Sequence, residues 1–214
     1  MSAAHLVVSM HVEIPLIVDL VFSPIHCAAI RERESQPEED SSVPARLSRL
    51  ETQYDQTGVR RSIDAVMVVL HHGFPHVLVL QVANAFYKLP GGYLDPTESD
   101  EDGLISRLDD QLGIPKPSPG QNSYEISSSG DWKVEECLSV WWRANFDTFL
   151  YPYLPAHNTE PKECKKLYLV TLPSHKVFAV PLNMKLHAIP VFEFFDNAAR
   201  YGPQFAGLPY LLSK

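Results

Sequence analysis

Apolar positions along this chain change period several times, and each change predicts an element. Ser62 to Leu70 and His76 to Val82 are Val-rich runs of strand length separated by HHGFP, which predicts a hairpin. His71 and His72 are adjacent in that pattern, so they are expected on opposite faces as surface histidines rather than as a metal pair. Leu104, Leu108 and Leu112 recur every four residues, which predicts one apolar stripe on a helix of about four turns. Thr97 with Asp100 suits a capping pair, the cluster Glu98, Asp100, Glu101 and Asp102 suits the positive end of the helix dipole, and Gly113 with Pro115 stops the helix. A second helix opens near Pro44, capped by Ser41 or Ser42, with Leu47, Leu50 and Tyr54 on one face and Gly58 at its end. Trp132 to Arg143 is a strand leading into Trp141 and Trp142, expected in the core or at an interface. Lys165 to Thr171 and Lys176 to Pro181 form the next strand pair, with KECKK as a solvated edge.

The rest of the chain is less regular. Residues 1–37 form an N-terminal extension to a domain of residues 38–214. Met1 to Ile30 is apolar, but His5, His11, Glu13, Asp19, Pro15 and Pro24 break any spanning or signal helix, so a strand-forming extension packed on the domain is expected. Arg31 to Asp40 reads as a charged link. Proline, serine and glycine density marks Ile114 to Asp131 as an exposed loop, and YPYLPAH as an extended segment presenting Tyr151 and Tyr153. Ile189 to Ala199 carries Val191, Phe192, Phe194 and Phe195 and is expected buried, continuing as helix. Gly207 to Leu212 is a short terminal helix whose apolar side suits a dimer or partner surface.

Composition narrows the chemistry. A chain of 214 residues with 45% hydrophobic content buries one sizeable core. Its 18 basic against 26 acidic residues argue against non-specific phosphate-backbone binding, whose affinity comes from displaced counterions. They do not oppose reading a few bases by stacking and edge contacts. Cys27, Cys137 and Cys164 are unevenly spaced, which favours a reducing compartment without structural zinc. No P-loop, repeat or Ser/His/Asp arrangement is visible, and no nucleophile stands out. Phe86 and Tyr87 end a strand and point to opposite faces, so one of them is free to serve as a base platform beside the Gly91-Gly92 turn.

The stretch from Gly92 to Ile114 resembles a Nudix box, G-x5-E-x7-R-E-U-x-E-E-x-G-U with U apolar. Gly92, Glu98, Leu108, Gly113 and Ile114 match. Ser106 and Arg107 stand where the pattern has Arg-Glu, and Asp110 and Gln111 where it has Glu-Glu. A guanidinium and a neutral amide in place of carboxylates predict that the Mg²⁺ site is lost. The ordered runs DSSVPARL, VRRSIDAV, PHVLVLQ, FYKLPGG, WWRANF, YPYLPAH, KKLYLV, VFAVP and FFDNAARYGP resemble the small, Nudix-fold subunit of pre-mRNA cleavage factor I, the cleavage and polyadenylation specificity factor subunit 5 family, from Glu38 onward.

That resemblance implies an α/β Nudix fold, a mixed β-sheet sandwiched between helices, which binds UGUA-type RNA without hydrolase activity, metal or cofactor. It implies that Phe86 stacks on a base, with Ala85, Tyr87 and Leu89 lining the pocket. It further implies that Arg46 hydrogen-bonds a base, that Glu38 adds an edge contact, that Asp64 lies near the RNA, and that Tyr201 and Gly202 contact bases through side chain and backbone. A homodimer, a larger subunit with an RNA-recognition domain, poly(A) polymerase as a further partner, a nuclear location and no membrane association follow from the same source. Two other readings remain open: a Mg²⁺-dependent hydrolase of dinucleoside polyphosphates, because Glu98 and Asp110 persist, and a scaffold that binds nucleotide or protein without reading RNA.

Overall fold

The computed structural model describes residues 23–24, 29–36, 40–84, 86–117, 124–126, 132–173 and 176–213. Glu38 and Ala85 lie outside the described residues, as does most of Met1 to Ile30. In chain order the elements are β1 (Ser23–Pro24), β2 (Ala29–Arg33), α1 (Val43–Thr57), β3 (Arg60–Val66), β4 (Val68–His71), β5 (Phe74–Val82), β6 (Phe86–Lys88), β7 (Gly91–Leu94) and α2 (Asp100–Leu112). They continue as β8 (Pro115–Pro117), β9 (Tyr124–Ile126), β10 (Lys133–Arg143), β11 (Glu163–Thr171), β12 (Val177–Pro181), β13 (Met184–Pro190), α3 (Val191–Phe194), α4 (Ala198–Tyr201), α5 (Pro203–Ala206) and α6 (Leu208–Leu211).

The apolar run predicted as one strand divides at Met67 between two sheets. β4 joins β1-β4-β5-β13, with β6 on β5, while β3 joins β10-β11-β3-β7. Both sheets mix parallel and antiparallel pairs. Alternation then sorts the run onto two cores. Ile63, Ala65, Met67 and Val69 face the core filled by Leu104, Leu108 and Leu112 of α2. Val66 and Val68 face the other, closed by Phe194, Tyr201, Phe205 and Leu208 of the C-terminal helices. The sheets are thus sandwiched between α2 and the C-terminal helices, and the leucine stripe of α2 is fully buried.

Several local expectations change. Ser99, not Thr97, caps α2: its hydroxyl accepts from the Asp102 amide at 3.2 Å. Ser42 caps α1, but Leu47 stays exposed while Leu50 is buried. His72 sits in the β4–β5 turn with φ of 51°, which turns its ring back to 3.9 Å from that of His71 instead of onto the opposite face. β11 lies inside its sheet between β10 and β3, so KECKK is not an edge; β12 pairs with β2 instead of β11. Arg31 to Arg33 belong to β2 and are not a link. The loop from Ile114 contains the two-stranded hairpin β8–β9. Phe194 is buried and Val191 packs against the same core, whereas Phe192 and Phe195 are 65% and 73% exposed, because one turn of helix turns only one side toward the core. Trp132 and Trp141 are core residues, and Tyr151 and Tyr153 are exposed as expected.

Candidate nucleic-acid interface

The Nudix-box positions form a closed set of contacts. Arg107 donates to Glu98 Oε2 at 3.0 Å and to the Tyr93 carbonyl at 2.8 Å, and the Asp95 amide donates to the same Glu98 oxygen at 3.2 Å. The Gln111 amide bridges one residue on both sides, accepting from the Gly91 N–H at 3.1 Å and donating to the Gly91 carbonyl. Asp109 is buried and accepts from the Trp132 indole N–H at 2.7 Å. Mg²⁺ needs several hard, anionic oxygens converging on one point. Here a cation neutralises Glu98 and a satisfied amide replaces the later carboxylate, so the residues do not fit the metal.

Gly91 explains part of this closure. It pairs with Asp64 across β3–β7, and a Cβ on it would fall 2.1 Å from the Ile63 carbonyl oxygen. The glycine therefore serves close approach of two strands, in addition to any approach by a ligand. Asp64 lies in the interior of β3, 6% exposed, and accepts from Lys165 Nζ at 2.8 Å. Burial pushes the Asp64 carboxyl above its ordinary value, with Lys165 opposing the shift. Lys88 is lowered by burial, with Asp64 opposing that shift.

The hairpin from β5 to β6 sets the aromatic pair. Ala83 and Asn84 both have positive φ, 48° and 57°, in the tight turn, and the following register aligns Val82 with Phe86 and Gln81 with Tyr87. Alternation then sends Phe86 outward, 56% exposed, and Tyr87 inward. The Tyr87 and Tyr201 ring centroids are 5.0 Å apart. Tyr201 ends α4, is nearly buried, and its hydroxyl donates to Glu193, which also accepts from Arg200 at 3.1 Å. Burial, reinforced by Glu193, pushes the Tyr201 phenol up to about 12. Gly202 caps α4 with φ of 94°, a backbone state that favours glycine.

Leu89 is 3% exposed and belongs to the same core as Tyr87 and Tyr201, instead of lining an open pocket. Arg46 is exposed on α1, close enough to Asp40 to lower that carboxyl, behind the larger effect of Arg49. Among the described residues, no hydrogen bond links Arg46 to the Phe86–Tyr201 group. The structure thus brings Tyr87, Leu89 and Tyr201 into one core, with Gly202 next to Tyr201 in the chain and Phe86 exposed on the same strand as Tyr87, and leaves Asp64 and Arg46 on other elements.

Two residues of this group escaped sequence reading. Gln81 donates to Tyr87 Oη at 3.5 Å and makes a 3.0 Å contact with His187 Nε2. The His187 ring lies 6.1 Å from Tyr87, and burial, aided by Lys185, lowers its proton affinity. The hairpin register would have exposed Gln81. His187 comes from β13, whose pairing with β5 spans a long stretch of chain.

A Nudix family model described as "nucleotide hydrolase" matches residues 20–214. The Pre-mRNA cleavage factor Im 25 kDa subunit 2 of Arabidopsis thaliana is 44% identical over 191 residues, covering 89% of this chain and 91% of that protein. This chain belongs to the Nudix-fold cleavage factor Im 25 kDa subunit family. Within that family, the Cleavage and polyadenylation specificity factor subunit 5 of Dictyostelium discoideum is 40% identical, covering 85% of this chain and 86% of that protein. The Pre-mRNA cleavage factor Im 25 kDa subunit 1 of Arabidopsis thaliana is also 40% identical, covering 93% of this chain and 85% of that protein.

Proposed function

We propose that this chain reads a UGUA-type element in single-stranded RNA as a subunit of the pre-mRNA cleavage and polyadenylation machinery, and that it does not hydrolyse nucleotides. The observation that carries the reading is the exposed Phe86 ring at the hairpin, one residue before Tyr87, whose own ring packs on Tyr201. A large apolar ring held in solvent costs little to cover with a base, and stacking is worth ~1 to 3 kcal/mol per base. Arg46 supplies a forked donor to a base edge, Glu38 and the backbone around Ala85 add further edge contacts, and Tyr201 with Gly202 closes the site. Asp64, paired with Lys165, acts on the RNA only through the backbone geometry it fixes.

The absence of hydrolysis rests on the Arg107–Glu98 pair and the Gln111–Gly91 bridge, which occupy the carboxylate positions. The names of the relatives support assembly with other cleavage factor components and a nuclear location. A homodimer would let two sites engage two motifs on one transcript, raising avidity without new contacts. A larger subunit with an RNA-recognition domain, and poly(A) polymerase, complete the expected partners; the net charge of −8 leaves electrostatic affinity to them.

Fluorescence anisotropy of a short UGUA-containing RNA, against the same RNA with its guanine replaced, tests the reading in the presence of Mg²⁺. Preference for UGUA with intact RNA and nucleotide supports it. Equal affinity for both RNAs, or turnover of a dinucleoside polyphosphate in the same samples, would sink it.

A further inference from the structure

A cavity of about 490 Å³ lies between the C-terminal half of α1 and the ends of β3 and β7. Its wall carries Tyr54, Arg60, Arg61, Tyr93, Asp95 and Lys162. The size suits a nucleotide rather than a lone ion.

Two of the cations on this wall have little to neutralise them. The Arg60 N–H donates to the Lys162 carbonyl at 3.1 Å, so the two side chains leave neighbouring backbones. The Arg60 guanidinium stacks 4.5 Å from the centre of the Tyr93 ring and donates to Gln53 at 3.3 Å. Lys162 Nζ sits 3.7 Å above the Tyr54 ring, and its recorded acid partner is the exposed Glu160 at 4.0 Å. Among the described residues no carboxylate lies within ion-pair distance of Arg60. Arg61 differs: it is engaged by Asp100 at 2.6 Å and by the carbonyls of Asp95, Pro96 and Glu98. The cavity also meets the carbonyl end of α1, which disfavours an anion, and Arg60 and Lys162 offset that end.

Two cations held on ring faces at the wall of one cavity favour an anion inside it. In a chain of net charge −8, such a pair stands against the overall field. We infer that this cavity is a nucleoside-phosphate site, in which Arg60 and Lys162 hold phosphate oxygens and the guanidinium plane of Arg60 or the rim of Tyr54 bears the base. The phosphate comes either from a free nucleotide or from a flanking residue of the RNA. α1 makes the second source reachable: Tyr54 lies eight residues beyond Arg46, about 12 Å along the helix, so an RNA held at Arg46 and running toward the C-terminal end of α1 reaches the cavity. That arm rests on the RNA-reading proposal above, whereas the free-nucleotide arm does not.

The test uses the full chain and the double variant Arg60→Gln/Lys162→Gln, with Tyr54→Leu as a second variant that leaves both cations in place. Thermal melting first checks that each variant is folded. Anisotropy compares a bare UGUA tetranucleotide with the same motif extended on either side, and calorimetry titrates AMP at low salt. If the RNA is the source, the extended RNA binds wild type more tightly than the bare motif. The double variant then loses about tenfold on the extended RNA, its salt slope falls by about 1.4 for two lost phosphate contacts, and the bare motif is unaffected. If free nucleotide is the source, AMP binding is lost in the double variant and weakened by Tyr54→Leu. Unchanged AMP binding together with unchanged flank dependence overturns the site. Failure of wild type to prefer UGUA sinks the RNA-reading proposal, and the AMP titration then decides the cavity by itself.

Discussion

The Arg107 guanidinium lies 3.0 Å from the Glu98 carboxylate, and both side chains are largely shielded from solvent. At this position the family pattern carries a carboxylate, so the contact replaces attraction for a divalent cation with an internal ion pair. Calorimetric titration with MgCl₂ is expected to show no saturable heat for wild type. The Arg107→Glu/Gln111→Glu variant removes the cation and adds two oxygen ligands, so it is expected to gain Mg²⁺ affinity by about tenfold or more. It also leaves the Gly91 carbonyl without its amide partner, a cost of about 1–3 kcal/mol. Saturable Mg²⁺ binding by wild type would contradict this account of the box.

Gly91 is the most constrained glycine in the site. A methyl group there meets the Ile63 carbonyl at 2.1 Å and the Asp64 Cα at 2.7 Å, and the φ of 150° already disfavours a side chain. Both obstacles are backbone atoms, so the strands themselves must separate. Gly91→Ala is expected to destabilise the protein by about 3 kcal/mol or more, read as a lowered midpoint in urea. Gly73→Ala, whose φ of 78° is strained but whose Cβ meets nothing within 4 Å, is expected to cost less.

Asp100 gives the stability a pH dependence. Burial opposes its charge, but hydrogen bonds from Lys166, Arg61 and Tyr168, at 2.5, 2.6 and 2.9 Å, hold its carboxyl below the ordinary value of 3.8. A carboxyl lowered in the folded state binds fewer protons there than in the unfolded chain. Its contribution is therefore full above that ordinary value and is lost as pH falls through the folded value. Denaturant melts between pH 3 and 6, roughly spanning the carboxylate range, are expected to show falling stability at the acid end. Asp100→Asn is expected to flatten that fall while lowering stability at neutral pH. An unchanged acid limb in the variant would contradict the assignment.

Tyr201 couples the C-terminal helices to the aromatic hairpin through the Tyr87 ring. Tyr201→Phe keeps the packing and removes the hydrogen bond to Glu193, so it is expected to lose about 1 kcal/mol and remain folded. Tyr201→Ala also opens a cavity between the Tyr87, Phe194 and Phe205 rings and is expected to lose about 3–5 kcal/mol. Chemical denaturation of the two variants separates the contributions; equal losses would show that the hydrogen bond, not the packing, dominates.

What was legible in the sequence was periodic or local. The α2 stripe follows from leucines four apart, and strand alternation puts Phe86 and Tyr87 on opposite faces, although it does not say which of them is outward. The cap of α2 was misread by two residues because Thr97 and Ser99 both precede acidic residues, and only backbone geometry chooses between them. Asp64 and Lys165 are 101 residues apart, and their pairing depends on parallel β3 and β11 lying side by side, which no local pattern encodes. The division of one apolar run at Met67 was hidden for a related reason: alternation continues unbroken while the partner strands change. Phe192 and Phe195 were misread because hydrophobic content alone does not orient a helix of four residues.

Phe86 carries the central claim, and it is exposed enough to be replaced without disturbing the core. Anisotropy of a labelled UGUA-containing RNA should be measured with wild type, Phe86→Ala and Phe86→Trp, alongside thermal melting of each. The account predicts that Phe86→Ala melts like wild type yet loses about 1–3 kcal/mol of RNA affinity, roughly five- to over a hundredfold, and that Phe86→Trp retains it. Undiminished UGUA affinity in a folded Phe86→Ala protein would contradict base reading at this hairpin.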